Sequence, residues 1–242
     1  MTTVAGTLLG AGARPTLDQE RLLWKAGHEW VAGLDEVGRG AWAGPVSVGV
    51  AVVRPGVRRN SMPRWLRDSK LLTEGQREAV FEEVAGWCAA WAVGHASAAE
   101  CDLWGMTAAL RLAAHRALAA LGRCPEALLV DGPYDLLQAP RSRPMPLGAP
   151  EPVLPIVTLP RTVLPIVDAD ARCAAVSAAS VLAKVVRDRL MREESIHFPA
   201  HYFERNKGYP SRAHKVALRG YGLSAIHRSS WSFVEDLPWR HR

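Results

Sequence analysis

Valines at 46, 48, 50 and 52 alternate with Ser47, Gly49 and Ala51, a period of two that predicts a half-buried strand. Just upstream, Trp30-Val31-Ala32 predicts another strand, so the residues between them read as a turn inside a hairpin. Residues 92–97 can form a third strand. Ala127-Leu128-Leu129-Val130 is a short apolar run closed by Asp131-Gly132, which in an α/β fold places a carboxylate at the end of a buried strand.

Helical spacing appears in four places. Residues 16–27 carry Leu17, Leu22 and Leu23; residues 74–91 repeat Val80, Val84, Trp87 and Trp91. Residues 100–121 bury Leu103, Met106, Leu110, Ala113, Ala117 and Leu121, leaving Arg111, His115 and Arg116 for the solvent side. A long helix over 172–194 has Ala175, Ala179, Leu182, Val186 and Leu190 as its apolar stripe. Ser177, Ser180, Lys184 and Arg187 share another side, a row of hydroxyls and cations suited to phosphate oxygens.

The pattern breaks over residues 138–165, where eight prolines exclude central strands and helix interiors. Residues 138–152 are expected to be a surface loop. The pentapeptide Val-Leu-Pro-Ile-Val occurs twice, at 153–157 and 163–167, and which copy pairs in the sheet stays open.

Composition narrows the class. The chain has 242 residues, 48% hydrophobic and 22% charged, as a globular protein would be. Four cysteines without CxxC spacing suggest buried thiols in a reducing compartment, and no stretch reaches membrane-spanning length, so a cytoplasmic protein is expected. Residues 1–14 read as a flexible leader. Charge is unevenly placed: residues 184–242 hold 12 Lys and Arg against 6 Asp and Glu, a surplus equal to the net +6 of the whole chain. That basic quarter suits a polyanion. Within it, Lys207-Gly208-Tyr209-Pro210 sets an aromatic ring beside a cation, a pairing that can stack on a base or sugar while holding a phosphate. His201, His214 and His227 lack helical metal-ligand spacing and are not assigned to a metal.

The chemistry converges on Gly33-Leu34-Asp35-Glu36-Val37-Gly38-Arg39-Gly40. Neighbouring side chains on a strand point to opposite faces, so Asp35 and Glu36 can share a site only where the strand ends. Gly38 and Gly40 permit a bend and leave backbone N–H groups open to a ligand. Carboxylates are the hard oxygen donors that Mg²⁺ or Mn²⁺ prefer, and two such ions can clamp the attacking and leaving oxygens of a phosphodiester.

In their order these motifs resemble ribonuclease HII, the type 2 ribonuclease H family. The likeness spans residues 16–233 and rests on the segment just quoted together with Ala43-Gly44-Pro45-Val46, Asp68-Ser69-Lys70, Val130-Asp131-Gly132, Asp170-Ala171-Arg172, the run from Ser177 through Ser180 and Lys184 to Asp188, Lys207-Gly208-Tyr209-Pro210 and His227-Arg228-Ser229. It implies an α/β fold, a ribonuclease H-like mixed five-stranded sheet flanked by helices with a small helical C-terminal subdomain. Expected boundaries are a leader and short helix at 1–27, a catalytic domain at 28–195 with its proline-rich insertion at 138–165, and a substrate-closing segment at 196–242.

The resemblance also implies hydrolysis of RNA in RNA–DNA hybrids and incision 5′ of single ribonucleotides in duplex DNA, leaving a 5′-phosphate and a 3′-hydroxyl. It assigns Asp35, Glu36, Asp131 and Asp170 as catalytic and metal-binding carboxylates of a two-metal Mg²⁺ or Mn²⁺ site. Gly38, Arg39 and Gly40 would read the 2′-hydroxyl, Tyr209 would stack on the sugar, and Lys70, Ser180, Lys184, Arg187 and Lys207 would contact substrate. The partners implied are RNA–DNA hybrid and ribonucleotide-containing duplex DNA, with no membrane, and the protein is expected to be a monomer. A two-metal DNA repair nuclease of the same fold and a non-catalytic nucleic-acid-binding module are the alternatives.

Four places depart from the family pattern: Ala41-Trp42 where proline is common, Leu71 for a second lysine, Gly105 for an asparagine, and Asp168-Ala169 for Lys-Gly. The last sets two aspartates close together; Asp170 is chosen because it keeps the family's distance to Ser177 and Ser180.

Overall fold

The computed structural model describes residues 14–133, 135–138, 148 and 150–237. Residues 1–13 of the 1–14 leader and most of the proline-rich loop lie outside the described residues.

In chain order the elements are α1 (Asp18–Lys25), β1 (Val31–Val37), β2 (Val46–Val53), α2 (Glu74–Trp87), β3 (Ala90–Ala96), α3 (Ala98–Trp104), α4 (Met106–Ala120), β4 (Ala127–Asp131), β5 (Thr162–Ile166), α5 (Ala169–Arg172), α6 (Ala174–His197), α7 (Phe203–Asn206) and α8 (Arg212–Tyr221). The strands form the expected mixed five-stranded sheet, ordered β3-β2-β1-β4-β5. β1, β2 and β3 pair antiparallel, while β4 runs parallel to both β1 and β5.

Helices cover both faces. Leu34, Val46, Val48, Val50 and Val52 pack with Leu110, Ala113 and Ala117 of α4. On the other face Ala51 and Val53 meet Ala175, Ala178, Ala179 and Leu182 of α6. β2 is therefore buried on both faces, correcting its half-buried reading. Its alternate positions are small because α6 lies close over them. The approach is tightest at Gly33, where a Cβ would stand 2.1 Å from the backbone nitrogen of Val176. No side chain fits there, and the contact brings Ser180 of α6 over Asp35.

Several boundaries move from the expected ones. The helix over 74–91 stops at Trp87, and Trp91 belongs to β3, where its ring meets Phe81 edge-on at 5.6 Å. The helix over 100–121 divides at Gly105, whose φ of +81° is a left-handed break, and a Ser97–Glu100 capping box starts α3 earlier than expected. His115, placed on the solvent side, is buried against the carbonyl of Leu137. The helix over 172–194 becomes α5 and α6, separated by the extended Cys173.

The second pentapeptide forms β5, and Pro165 is tolerated there because β5 is an edge strand. In the first copy Val153 and Ile156 are exposed, while Leu154 and Val157 pack against the α4-side core. Among the described residues no helix is long and apolar enough to cross a membrane, and all four cysteines are free.

The C-terminal segment folds back onto the loop after β1. Trp42 stacks on Phe233 with ring centroids 4.2 Å apart, its backbone N–H donates to Gly208, and its carbonyl accepts from Arg228. Trp42, next to the Ala41 that directly follows Gly38-Arg39-Gly40, is thus a tie between distant parts of the chain.

Candidate active site

The parallel pairing of β1 with β4 decides where the carboxylates meet. Leu34 registers with Val130, so Asp35 and Asp131 follow side by side at the C-terminal ends of neighbouring strands. β5 then leads into α5, which delivers Asp170. The oxygen Oδ1 of Asp131 accepts the backbone N–H of Ala169 at 2.7 Å, fixing the turn that carries Asp170. Asp168 is the left-handed residue before α5 and is exposed, whereas Asp170 is buried. Glu36 completes the group from the rim. It lies within β1, as Asp35 does, so the two acids occupy the end of a strand and the turn begins only at Gly38.

A cleft of about 220 Å³ is lined by Asp35, Glu36, Asp131, the Gly38-Arg39-Gly40 loop, Ser69, Lys70, Ser180, Lys184 and Tyr209. Sequence-distant residues from β1, β4, α6 and the C-terminal segment share this single space. Burial pushes the Asp35 carboxyl well above its ordinary range, and crowding by Glu36, Asp131 and Asp170 adds to it against a hydrogen bond from Ser180. Asp131 is raised for the same reasons, burial first and Asp170 next. Lys70 answers this charge: its ammonium lies 2.7 Å from Oδ2 of Asp170 and 4.0 Å from Asp68. Burial opposes the charged ammonium, but Asp170 and Asp68 raise its pKa on balance. Carboxylates are the hard-oxygen donors a divalent cation prefers, but among the described residues no three His, Cys, Asp or Glu side chains are gathered in an arrangement that could hold one.

The helix α6 residues divide. Ser180 bonds Ser69 at 2.9 Å beneath the cleft, and Lys184 reaches the cleft while bonded to Asp188 at 2.7 Å. Burial lowers the Lys184 pKa despite that partner. Arg187 is placed differently from its expected phosphate role. It has no exposed surface, and its guanidinium donates to the carbonyls of Pro45, Lys207 and Ala43 at 2.9, 3.0 and 3.2 Å. Lys207 is also buried, its ammonium held by Glu74 at 3.0 Å and by the carbonyl of Glu204. Ser177 is fully buried too, with no surface open to the cleft. These side chains build the frame on which Tyr209 rests, with Lys184 and Arg187 lying 5.2 and 5.4 Å from its ring centre.

The loop after β1 is shaped by two arginines. Gly38 has φ +85°, and a Cβ there would lie 2.2 Å from Nε of Arg187, so both backbone and space demand glycine. Arg228, also fully buried, donates to the carbonyls of Gly38, Arg39 and Gly44 at 2.8, 3.0 and 3.1 Å. Arg39 itself is exposed and pairs with Glu36 at 3.6 Å. Nothing in the local sequence of Arg228 marks it as the clamp of a loop 190 residues away.

A family model for ribonuclease HII matches residues 32–234. The chain belongs to the ribonuclease HII family. Among its relatives, ribonuclease HII of Streptomyces avermitilis is 47% identical over 94% of this chain and 88% of the relative. Ribonuclease HII of Thermus thermophilus is 42% identical, covering 91% of this chain and 95% of its own. The crystal structure of ribonuclease H2 from Pyrococcus horikoshii superposes with a TM-score of 0.66 at 29% identity, over 87% of this chain and 98% of that one. As a ribonuclease HII, the protein is a hydrolase of the ribonuclease H type with the family's α/β fold, an endoribonuclease acting on RNA–DNA hybrids.

Proposed function

We propose that this enzyme incises duplex DNA 5′ of single embedded ribonucleotides, as well as cutting longer hybrids, and leaves a 5′-phosphate and a 3′-hydroxyl. The observation that carries the reading is the shared cleft: the carboxylates from the ends of β1 and β4 open into the same space as the Gly38–Gly40 backbone and Tyr209. A scissile phosphate and the 2′-hydroxyl beside it are neighbours in the substrate, so one cleft can serve both.

In this reading Asp35, Glu36, Asp131 and Asp170 hold two divalent cations, Mg²⁺ or Mn²⁺. Those ions would supply charge neutralisation at the phosphate and activation of the attacking water. The remaining work belongs to the chain. Gly38 and Gly40 contribute backbone groups to the 2′-hydroxyl, a contact that DNA cannot make, and Tyr209 stacks on the sugar. Lys184, with Lys70 once released from Asp170, holds phosphate oxygens. Arg228 and Arg187 keep the reading loop and Tyr209 in register. Residues 28–195 act as the catalytic unit and 196–242 as the segment that closes on substrate. The free cysteines support a cytoplasmic setting.

The test is a labelled DNA duplex carrying one ribonucleotide, incubated with Mg²⁺ or Mn²⁺ beside an all-DNA duplex of the same sequence. Incision of the first alone, at its 5′ side, is expected. Equal cutting of both would point to a DNA nuclease of the same fold, and cutting of neither in either metal to a binding module.

A further inference from the structure

The three C-terminal histidines that carry no metal-ligand spacing come together in the fold. His214 on α8 and His227 in the following loop are buried, with their rings 5.2 Å apart between centroids, and His201 lies 4.9 Å from His227. Phe203 packs at 5.6 Å against both His214 and His227. None of the proposed chemistry uses these histidines.

Their hydrogen bonds form a chain whose direction is set at both ends by backbone groups. The N–H of Ser224 lies 2.8 Å from Nδ1 of His227, and an N–H can only donate, so Nδ1 accepts and the ring proton sits on Nε2. That Nε2 is 2.9 Å from Nε2 of His214, which must then accept. His214 is left with its proton on Nδ1, 2.9 Å from the carbonyl oxygen of Tyr209. A carbonyl can only accept, so the chain closes without conflict. Only neutral rings satisfy it: a second proton on His227 would face the Ser224 N–H, and one on His214 would face His227. Burial lowers the pKa of both, and of His227 to about 3 with the neighbouring histidines adding to the effect.

The far end of the chain matters because Tyr209 follows two left-handed residues, Lys207 at φ +51° and Gly208 at φ +83°. A non-glycine residue in that region persists where its surroundings over-determine it. The carbonyl of Tyr209 also accepts from Ser211 at 2.8 Å, and the hydroxyl of Ser211 caps His214 at the start of α8.

We infer that His214 and His227 are positioning residues: a one-way hydrogen-bond chain from Ser224 through both imidazoles holds the backbone of Tyr209, and so presents its ring to the cleft. The inference rests on the reading of Tyr209 as the sugar-stacking residue.

Two substitutions separate this role from packing. In H214N the amide nitrogen stands near the place of Nδ1 and keeps the donor to Tyr209; H214Q reaches His227 instead and abandons the carbonyl. On the duplex with one ribonucleotide, H214Q is expected to raise KM about tenfold, the worth of one lost hydrogen bond, with kcat within about threefold, while H214N, which keeps the bond to Tyr209 but loses the one from His227, raises KM clearly less. Y209A is measured alongside. Full activity of Y209A would reject the stacking role and this inference with it. An impaired Y209A with H214N and H214Q indistinguishable would reject the inference alone. Independently of any variant, long-range proton–nitrogen NMR correlations of the wild-type protein should report the Nδ1–H tautomer for His214 and the Nε2–H tautomer for His227. The reverse tautomers, or a charged ring at neutral pH, would overturn it.

Discussion

Nη2 of Arg228 donates to the carbonyl oxygen of Gly38 at 2.8 Å, joining the C-terminal segment to the loop that follows β1. The same guanidinium serves Arg39 and Gly44, so one buried side chain orients the whole 38–44 backbone. Lysine cannot reproduce a planar fork of donors. R228K is expected to cost about 1–3 kcal/mol through carbonyls left unpaired. Its urea midpoint should fall together with activity on ribonucleotide-bearing duplex; an unchanged midpoint would remove the clamp.

Asp35, a metal ligand in the proposed reading, is also a source of instability. Its carboxyl pKa is raised in the folded protein, chiefly by burial. The fold therefore holds a proton that the unfolded chain releases near pH 4, and stability is lost as pH rises from there through the folded pKa. D35N removes that loss. In the presence of EDTA it should melt at a higher temperature than wild type at pH 7.5, with the difference shrinking toward pH 4, while cleavage falls by orders of magnitude. A lower melting temperature at pH 7.5 would contradict this account.

Glu20 behaves similarly at a distance from the cleft. Fully buried, it accepts the N–H of Ala175 at 2.8 Å through Oε1, while Oε2 has no partner, and burial raises its pKa to about 7. Its contribution is present below about pH 4.5 and is lost as pH rises through 7. The melting temperature of E20Q should consequently vary less between pH 5 and pH 8 than that of wild type; parallel pH profiles would refute the assignment.

Gly38 and Gly40 should respond differently to alanine. At Gly38 the positive φ and the 2.2 Å approach to Arg187 leave no room, whereas Gly40 has no atom within 4 Å of the added Cβ. G38A is expected to lose stability and activity together. G40A should keep the wild-type melting temperature and raise KM, because its methyl group enters the cleft. Equal melting temperatures for both variants would argue against the loop geometry.

Much of this was legible in the chain. Val130-Asp131-Gly132 announced a strand ending in a carboxylate, and Asp35 and Asp131 meet because β1 and β4 are parallel in register. Arg187 was not legible. Its place on α6 resembles that of Lys184, three residues earlier, and only the convergence of carbonyls from Ala43, Pro45 and Lys207 turns it inward. The two pentapeptides are identical, so local preference could not rank them; the connection that must reach Asp170 directly selects the second. In β2 the small residues at 47, 49 and 51 read as the face away from the core, but all three are buried, and Gly49 and Ala51 are small because α6 lies on them.

In the proposed reading, one cleft both reads the sugar and cuts the phosphodiester. The direct measurement is the single-turnover rate on two duplexes identical except at one sugar, ribose in one and 2′-fluoro-2′-deoxyribose in the other, at saturating enzyme and Mg²⁺. Loss of the hydroxyl donor should slow incision by at least about a hundredfold, as expected where a site is built to bond a substrate hydroxyl. Equal rates on the two duplexes would contradict the account.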